Sequence, residues 1–218
     1  MRKKKRWILA AAGVLLIASL PSVAYETDRS QVRNAISTAS IDINLVESKW
    51  DQLPDTDQDG VPDAAQDLHH GQTVTKDPAV KNASTLPVYA FLRVRIPTAD
   101  VMLVDSAPQI TQDVPLFSYR IHNGWKQLSV TEADGYREIW YGYTSKVAVD
   151  KTTGTLFDSV AYADVVEGQI ADTVILDLQV DAYGIQAYSF SSMDQAFSAF
   201  DQDQPAMTGS IRKEVVDA

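Results

Sequence analysis

The sequence predicts an all-β protein, an antiparallel β-sandwich with few short helices. Apolar residues alternate with polar ones at a period of two along several segments, which is the pattern of strands with one buried face. Turn signals separate these segments at Asn123-Gly124, Asp134-Gly135 and Thr153-Gly154. Many short strands punctuated by turns are typical of sandwiches and related all-β folds.

The strand candidates follow one another along most of the chain. Residues 41–45 place Ile41, Ile43 and Leu45 on one face. Residues 88–96 place Val88, Ala90, Leu92, Val94 and Ile96 on one face, opposite Tyr89, Phe91, Arg93 and Arg95. The remaining candidates are residues 114–121, 125–130, 138–144, 155–160, 173–181 and 185–190.

Helical spacing is confined to a short region near the C-terminus. Met193, Ala196, Phe197 and Phe200 recur at helical intervals, so residues 194–200 are predicted to form a short helix that packs on the core. Residues 201–218 are polar and are expected to form a loose tail. The sandwich domain is therefore expected to span residues 25–200.

Residues 1–24 have the organisation of a secretory signal peptide. Five basic residues precede an apolar stretch at 8–20, and the small residues Ser22 and Ala24 precede an expected cleavage before Tyr25. The apolar stretch is shorter than the roughly 20 residues that a membrane-crossing helix needs. We therefore expect a secreted protein, extracellular or associated with the cell surface, with no stable membrane anchor.

Composition narrows the function further. Residues 1–24 hold five of the 19 basic residues and none of the 29 acidic ones, so the remainder, with 14 basic and 29 acidic residues, carries a net charge of −15. Nucleic acids and anionic lipid surfaces would repel such a chain. The chain has no cysteine, which excludes disulfides and a thiol nucleophile.

Three segments of the sequence resemble the TasA/camelysin family. The first begins with Ala24-Tyr25-Glu26-Thr27-Asp28 and leads into the alternating residues at 41–45. The second matches a Lys-x-Pro-x-Val-x-Asn turn that leads into the strand at 88–96, and consists of Lys76, Pro78, Val80 and Asn82. The third and looser match is residues 180–187. None of these segments is an enzymatic signature.

The resemblance implies both an architecture and an export route. It narrows the sandwich to a jelly roll and implies cleavage by a signal peptidase of the SipW type. It further implies a structural subunit of extracellular fibres, in a biofilm matrix or at the cell surface. In that mechanism residues 25–36 of one copy pair with a sheet edge of the next, so the expected partners are further copies and related matrix subunits.

Two other functions are alternatives. Camelysins have been classed as metalloproteases, but this sequence has only His69, His70 and His122 and lacks a His-Glu-x-x-His motif. A dispersed Ser-His-Asp arrangement stays open, although a non-enzymatic protein is favoured. The second alternative is a calcium-dependent adhesin.

The strongest local motif is an acidic loop within an expected insertion at 54–67. Aspartates at alternate positions followed by glycine at the sixth place are typical of calcium loops, because several oxygen ligands then converge after a sharp turn. The predicted calcium ligands are Asp55, Asp57, Asp59, the carbonyl of Val61 and Asp63. Either Gln66, at the twelfth place, or Asp67 is expected to complete the site. The alternative is a solvated acidic turn without an ion.

Two further groups of side chains are ambiguous. Arg93 and Arg95 indicate either a solvated strand face or a binding stripe, and the solvated face is favoured. The aromatic residues at 140–143 indicate core packing, a sugar-binding platform or a subunit contact, and core packing is favoured.

Overall fold

The computed structural model describes residues 41–66, 68–104, 108–133, 135–166, 168–170, 177–202 and 212–215. These residues belong to one compact unit, Ser40–Ala218. The expected signal peptide at 1–24 and the expected donor segment at 25–36 lie outside the described residues.

The described residues form eleven strands, one α-helix and two short 3-10 helices. The strands are β1 Ile43–Val46, β2 Thr73–Thr75, β3 Ala79–Asn82, β4 Val88–Val101, β5 Thr111–Pro115, β6 Phe117–Ser118, β7 Trp125–Ala133, β8 Tyr136–Tyr143, β9 Ser159–Tyr162, β10 Leu178–Gln186 and β11 Arg212–Val215. The α-helix, α1, is Met193–Gln202, and the 3-10 helices are Trp50–Gln52 and Asp63–Ala65.

The strands form antiparallel sheets around one core, which confirms the predicted jelly-roll-like β-sandwich. The main sheet has the order β11-β10-β4-β8-β7, and β5 pairs with the far end of β4. Two smaller sheets, β1-β3 and β2-β9-β6, complete the fold. Residues from all three sheets contribute to a single buried apolar cluster.

The central strand β4 shows the alternation that the sequence predicts. Val88, Ala90, Leu92, Val94 and Ile96 all point into the main cluster. The other face was expected to be solvated, and there the prediction is wrong, because α1 covers part of it. Tyr89 and Phe91 are buried in a second cluster with Trp140, Met193 and Phe200.

The helix is confirmed and is longer than predicted. It packs on β8, where Gly142 leaves the space that the sulfur of Met193 occupies. Any side chain at position 142 would collide with Met193 and with Leu128 of β7. Trp140 and Tyr141 are buried and Tyr143 packs against the main cluster, so the aromatic residues at 140–143 serve core packing, the interpretation that the sequence favoured.

The strand predicted at 114–121 is two shorter strands in different sheets. The chain changes sheets at Leu116, whose N–H donates to the carbonyl of Pro97 in β4 and whose carbonyl accepts from Ala163, just after β9. The apolar alternation shifts by one residue at Leu116 and Phe117, which are adjacent and both buried, so the sequence carries a local signal of the change of sheet that the prediction did not use.

The C-terminal strands also differ from the prediction. Residues 178–186 form one strand instead of two, with Gly184 inside it, while residues 171–176 lie outside the description. A Cβ on Gly184 would stand 2.9 Å from Cγ2 of Ile43, so this glycine permits close packing of β1 on β10. Within the expected polar tail, β11 pairs with Leu178–Asp181, because main-chain hydrogen bonds require no apolar side chains.

Besides β11, two further strands were not predicted, and one of them lies in the motif that resembles the TasA/camelysin family. Thr73–Thr75 and Ala79–Asn82 are too short for a periodic pattern to stand out. The segment expected to be a turn is therefore a loop at Lys76, Asp77 and Pro78 followed at once by β3, which pairs with β1 from Ile43↔Asn82 to Val46↔Ala79.

A fully buried ion pair fixes the end of β1 to the start of β3. Lys76 Nζ lies 3.0 and 3.1 Å from the two carboxylate oxygens of Glu47, and neither side chain is exposed. The same ammonium lies 4.1 Å from the ring centroid of Trp50. Beside it, the carboxylate of Asp77 accepts from the backbone N–H groups of Lys49 and Trp50 at 3.0 to 3.1 Å.

We expect Lys76→Met to destabilise the protein by about 3–5 kcal/mol, because it leaves the Glu47 carboxylate buried without its counter-charge. Urea unfolding monitored by tryptophan fluorescence measures the loss. Adding Glu47→Leu to the same variant should recover much of it, since an apolar pair needs no charge compensation.

The matched control is Lys126→Met, which removes an exposed ion pair to Asp194 at 2.7 Å and should cost about 0–1 kcal/mol. Equal losses in Lys76→Met and this control would contradict the structural role of the buried pair.

Candidate functional site

The acidic loop predicted from the sequence is anchored on the core at both ends. It follows the 3-10 helix Trp50–Gln52 and contains the second one, Asp63–Ala65. Val61 and Ala65 are buried, and the N–H of Asp63 donates to the carbonyl of Pro54 at 2.8 Å, which closes the base of the loop. The exposed part of the loop is thus held by two apolar contacts and one backbone bond.

Three of the predicted ligands come together at the loop surface. Carboxylate oxygens of Asp55, Asp57 and Asp63 lie within 4.8 Å of one another, and no other such group of three ligating side chains occurs among the described residues. Exposed acidic groups are common on protein surfaces, so this arrangement alone does not specify an ion.

The backbone of the loop turns toward these carboxylates. Asp55 accepts from the N–H groups of Gln58 at 2.8 Å and Gly60 at 3.1 Å, and Asp63 accepts from that of Thr56 at 2.9 Å. Gln58 and Gly60 have φ values of 61° and 93°, the left-handed backbone that a tight turn requires. Each of the two Asp55 oxygens keeps a second lone pair for another partner, whereas Asp63 Oδ1 also accepts from the Thr56 hydroxyl at 3.1 Å.

The other two predicted ligands face Gln66. Its amide nitrogen lies 3.4 Å from Asp57 Oδ2, 3.3 Å from Asp59 Oδ2 and 3.3 Å from the carbonyl oxygen of Val61. The partly positive NH₂ group of Gln66 therefore lies where these three oxygens converge. Rotating the Gln66 amide by about 180° would place its oxygen there instead. Of the two residues expected to complete the site, Gln66 faces it, and Asp67 lies outside the described residues.

The histidines do not form a metal centre with the described residues. The ring of His70 stacks on Tyr162, with centroids 6.1 Å apart, and the N–H of His69 donates to Gln72 at 2.9 Å. The one cluster of three ligating side chains in the described part of the chain contains no histidine.

His122 belongs to a polar cluster that sequence reasoning did not find. Its Nδ1 lies 3.1 Å from the Thr155 hydroxyl and its Nε2 lies 3.3 Å from Asp158, which also pairs with Lys49 at 2.9 Å. The hydroxyl, imidazole and carboxylate resemble a hydrolase triad only in type. In such triads the acid is buried against the imidazole, whereas the Asp158 side chain is 49% exposed and shared with a lysine. The arrangement is that of a surface ion-pair network.

The two arginines of β4 are satisfied by neighbouring strands. Arg93 donates to Asp181 of β10 at 2.6 Å, and Arg95 donates to Gln179 at 3.0 Å. Glu138 of β8 lies 3.7 and 3.8 Å from them. The pair therefore forms a half-buried internal network, which differs from both the solvated face and the binding stripe considered from the sequence.

Comparisons with known proteins add no relationship. No family model matches the sequence, and no curated protein matches it. Among the described residues, no helix is both long enough and apolar enough to cross a membrane.

The Lys49 ammonium, through its hydrogen bond, holds the pKa of Asp158 below the ordinary carboxyl value, against a smaller opposing effect of burial. The pair therefore stabilises the fold above the ordinary carboxyl pKa, and this contribution is lost as the pH falls through the lowered value. We expect Lys49→Met to raise the pKa of Asp158, measured by NMR titration of its carboxyl carbon.

Lys126→Met, which removes an ammonium from a different carboxylate, should leave the Asp158 titration unchanged. An Asp158 pKa that is the same with and without Lys49 would refute this assignment.

Proposed function

We propose that this protein is an exported structural subunit that polymerises outside the cell by strand donation, as the resemblance to the TasA/camelysin family implies. Its partners are further copies of the same chain and related matrix subunits. The supporting observation is the role of the motif that carries the resemblance: its residues hold the fold together and present no reactive group.

The motif residues act on backbone and buried charge. Lys76 neutralises Glu47, and the Asn82 side chain donates to the carbonyls of Leu86 at 2.9 Å and Val147 at 3.0 Å. The Asn82 side-chain oxygen accepts from Ser84 at 2.9 Å. These contacts connect β3 to the neighbouring segments on both sides. The motif residues therefore have a structural role.

The same contacts anchor the strand that follows the expected donor segment. β1 is bound along β3, and Ser84 clasps Asp42 just before it by accepting from its N–H and donating to its carbonyl at 2.7 and 2.8 Å. A segment at 25–36 would thus be connected to a rigid domain through only a few residues. Pulling on that segment would load the β1-β3 ladder and the buried ion pair.

We further propose that the acidic loop binds one calcium ion through Asp55, Asp57, Asp59, the Val61 carbonyl and Asp63. The convergence of three of these oxygens on one amide edge, beside the three clustered carboxylates, supports the proposal. Calcium takes six to eight oxygen ligands, so the Gln66 oxygen and water would complete the shell. The ion would act on stability and not on chemistry.

The protease and adhesin alternatives have weaker support. No described histidine belongs to a group of three ligating side chains, and the Thr155 hydroxyl lies in an exposed ion-pair network. An adhesin would share the calcium loop but would remain monomeric. Azocasein turnover by the purified protein distinguishes the protease from the other two, and electron microscopy distinguishes fibre from monomer.

Deleting residues 25–36 should leave a folded protein that cannot elongate fibres, because it lacks the donated strand but keeps the acceptor. Electron microscopy of the mature protein and of the deletion variant measures this. Screening by salt should promote growth of the intact protein, because each subunit carries a charge of −15.

The deletion variant should also shorten fibres when it is added to the intact protein, since it caps a growing end. A mature protein that stays monomeric across salt, calcium and mildly acidic pH contradicts the proposal, and so does a deletion variant that still polymerises.

Calcium should raise the melting temperature of the protein, because an ion that binds only the native state stabilises it by mass action. At a calcium concentration of 100 times the Kd the gain is about 2.7 kcal/mol. Asp57→Asn with Asp59→Asn should abolish the rise, measured by calorimetry with and without chelator.

Asp150→Asn is the matched control, since it removes an exposed aspartate outside the loop at a left-handed position that asparagine tolerates. A parent protein whose melting temperature ignores both calcium and chelator would exclude the ion.

A further inference from the structure

We infer that the edge of β7 that pairs with no described strand is the acceptor site for residues 25–36 of a second copy of this chain. The inference rests on the proposed strand donation and names the surface that it uses.

The first argument is the length of the available edges. In the described part of the chain the strands at the sheet edges are β7 with nine residues, β5 with five, β1, β3 and β11 with four each, β2 with three and β6 with two. β7 contains neither proline nor glycine and pairs with β8 on one side. Because main-chain hydrogen bonds provide most of the affinity in strand addition, the longest edge is the strongest acceptor.

The second argument is an uncovered part of the core face. Val130 of β7 is 46% exposed, although its cross-strand neighbour Ile139 is only 8% exposed and belongs to the main cluster. The apolar surface of the sandwich thus continues to the edge strand and ends there in solvent. An added strand with an apolar residue beside Val130 would extend that surface and bury it.

The third argument concerns which partners the edge rejects. A bulge interrupts the β7 register between Gln127 and Ser129, and charged Lys126 and Glu132 stand near the two ends of the strand. Bulges and charges are devices that prevent two folded edges from pairing flat against each other. A segment that is not already part of a sheet can follow the bent edge, so the site selects such a segment over a second folded β7.

The segment at 25–36 fits this edge in length and charge. Its 12 residues reach about 40 Å when extended, against about 30 Å for the nine residues of β7. It carries two acidic and two basic residues and is neutral within a chain of net −15, and β7 is neutral as well. Val32 and Ile36 lie on one face of the extended segment, available to cover Val130.

Connectivity favours a second copy as the donor. The chain enters the sandwich at β1, whose Ile43 packs against Gly184 of β10. β10 and β7 are separated by β4 and β8 in the main sheet, so their axes are about 14 Å apart. Ile41, where the described chain begins, also packs at Gly184, so the described chain begins on the β10 side of the sheet, away from the β7 edge.

Disulfide trapping tests the site, because the chain has no cysteine of its own. One mature variant carries a cysteine on β7, Thr131→Cys, at an exposed position. Its partners are three donor variants, Gln31→Cys, Arg33→Cys and Ala35→Cys, which lie on the face opposite Val32 and Ile36, as Thr131 lies opposite Val130, and which together cover the register. Mixed pairwise under fibre-forming conditions and oxidised, at least one donor should yield a covalent dimer of twice the subunit mass on a non-reducing gel.

Ser118→Cys on β6 and Asn44→Cys on β1 are the matched acceptor controls, placed on other edge strands. If fibres form but the dimer appears only with a control acceptor, the β7 assignment is wrong and the proposed function is unaffected. An Arg33→Cys/Thr131→Cys double variant that yields only an internal disulfide at every concentration overturns the second copy as the donor. A protein that forms neither fibres nor any covalent dimer overturns both.

Discussion

Two charges with no access to water constrain the rest of this sandwich. Burying an ammonium and a carboxylate costs several kcal/mol for each ion, so the pair is tolerated only when the surrounding structure holds it in good geometry. Here Glu47 follows β1, Lys76 precedes β3, and the face of Trp50 and the carboxylate of Asp77 hold the intervening backbone. The pair therefore specifies which two strands meet in the β1-β3 sheet and where the acidic loop leaves the core.

The two faces of the main sheet are covered in different ways. One face of β4 contributes to the core that all three sheets share, and α1 buries the near half of the other with Tyr89 and Phe91 beneath it. The far half carries arginines that must stay charged, so β8 and β10 supply Glu138 and Asp181 at matching positions. β4 thus has apolar residues on one face, and aromatic residues followed by arginines on the other. This pattern suits a sheet that a helix covers only in part.

The sequence predicted the parts that depend on periodicity and missed the parts that depend on single contacts. The alternation along β4, the hairpin turn at Gly135 and the helical spacing of Met193 and Phe200 all appear in the structure as predicted. The role of Gly184 depends on residues distant in the chain, which no local pattern reveals. The change of sheet at Leu116 was missed although the apolar alternation shifts by one residue there. At the acidic loop the spacing placed three carboxylates together, but the position of Gln66 and the cluster around His122 required coordinates.

Trp50 connects the acidic loop to the anchor of β1. Its ring lies over the Lys76 ammonium, and its side chain lines a cleft together with Asp55 and Gly60 of the loop. A ligand that binds the native loop stabilises the surrounding structure only as far as the loop is packed against it. Val61, Ala65 and Trp50 provide that packing. An ion in the loop would therefore stabilise the same contacts, around Trp50 and the Glu47–Lys76 pair, that anchor β1. Resistance to pulling and binding of a cation would then share one cluster of side chains, at the end of the domain where the chain enters the sandwich.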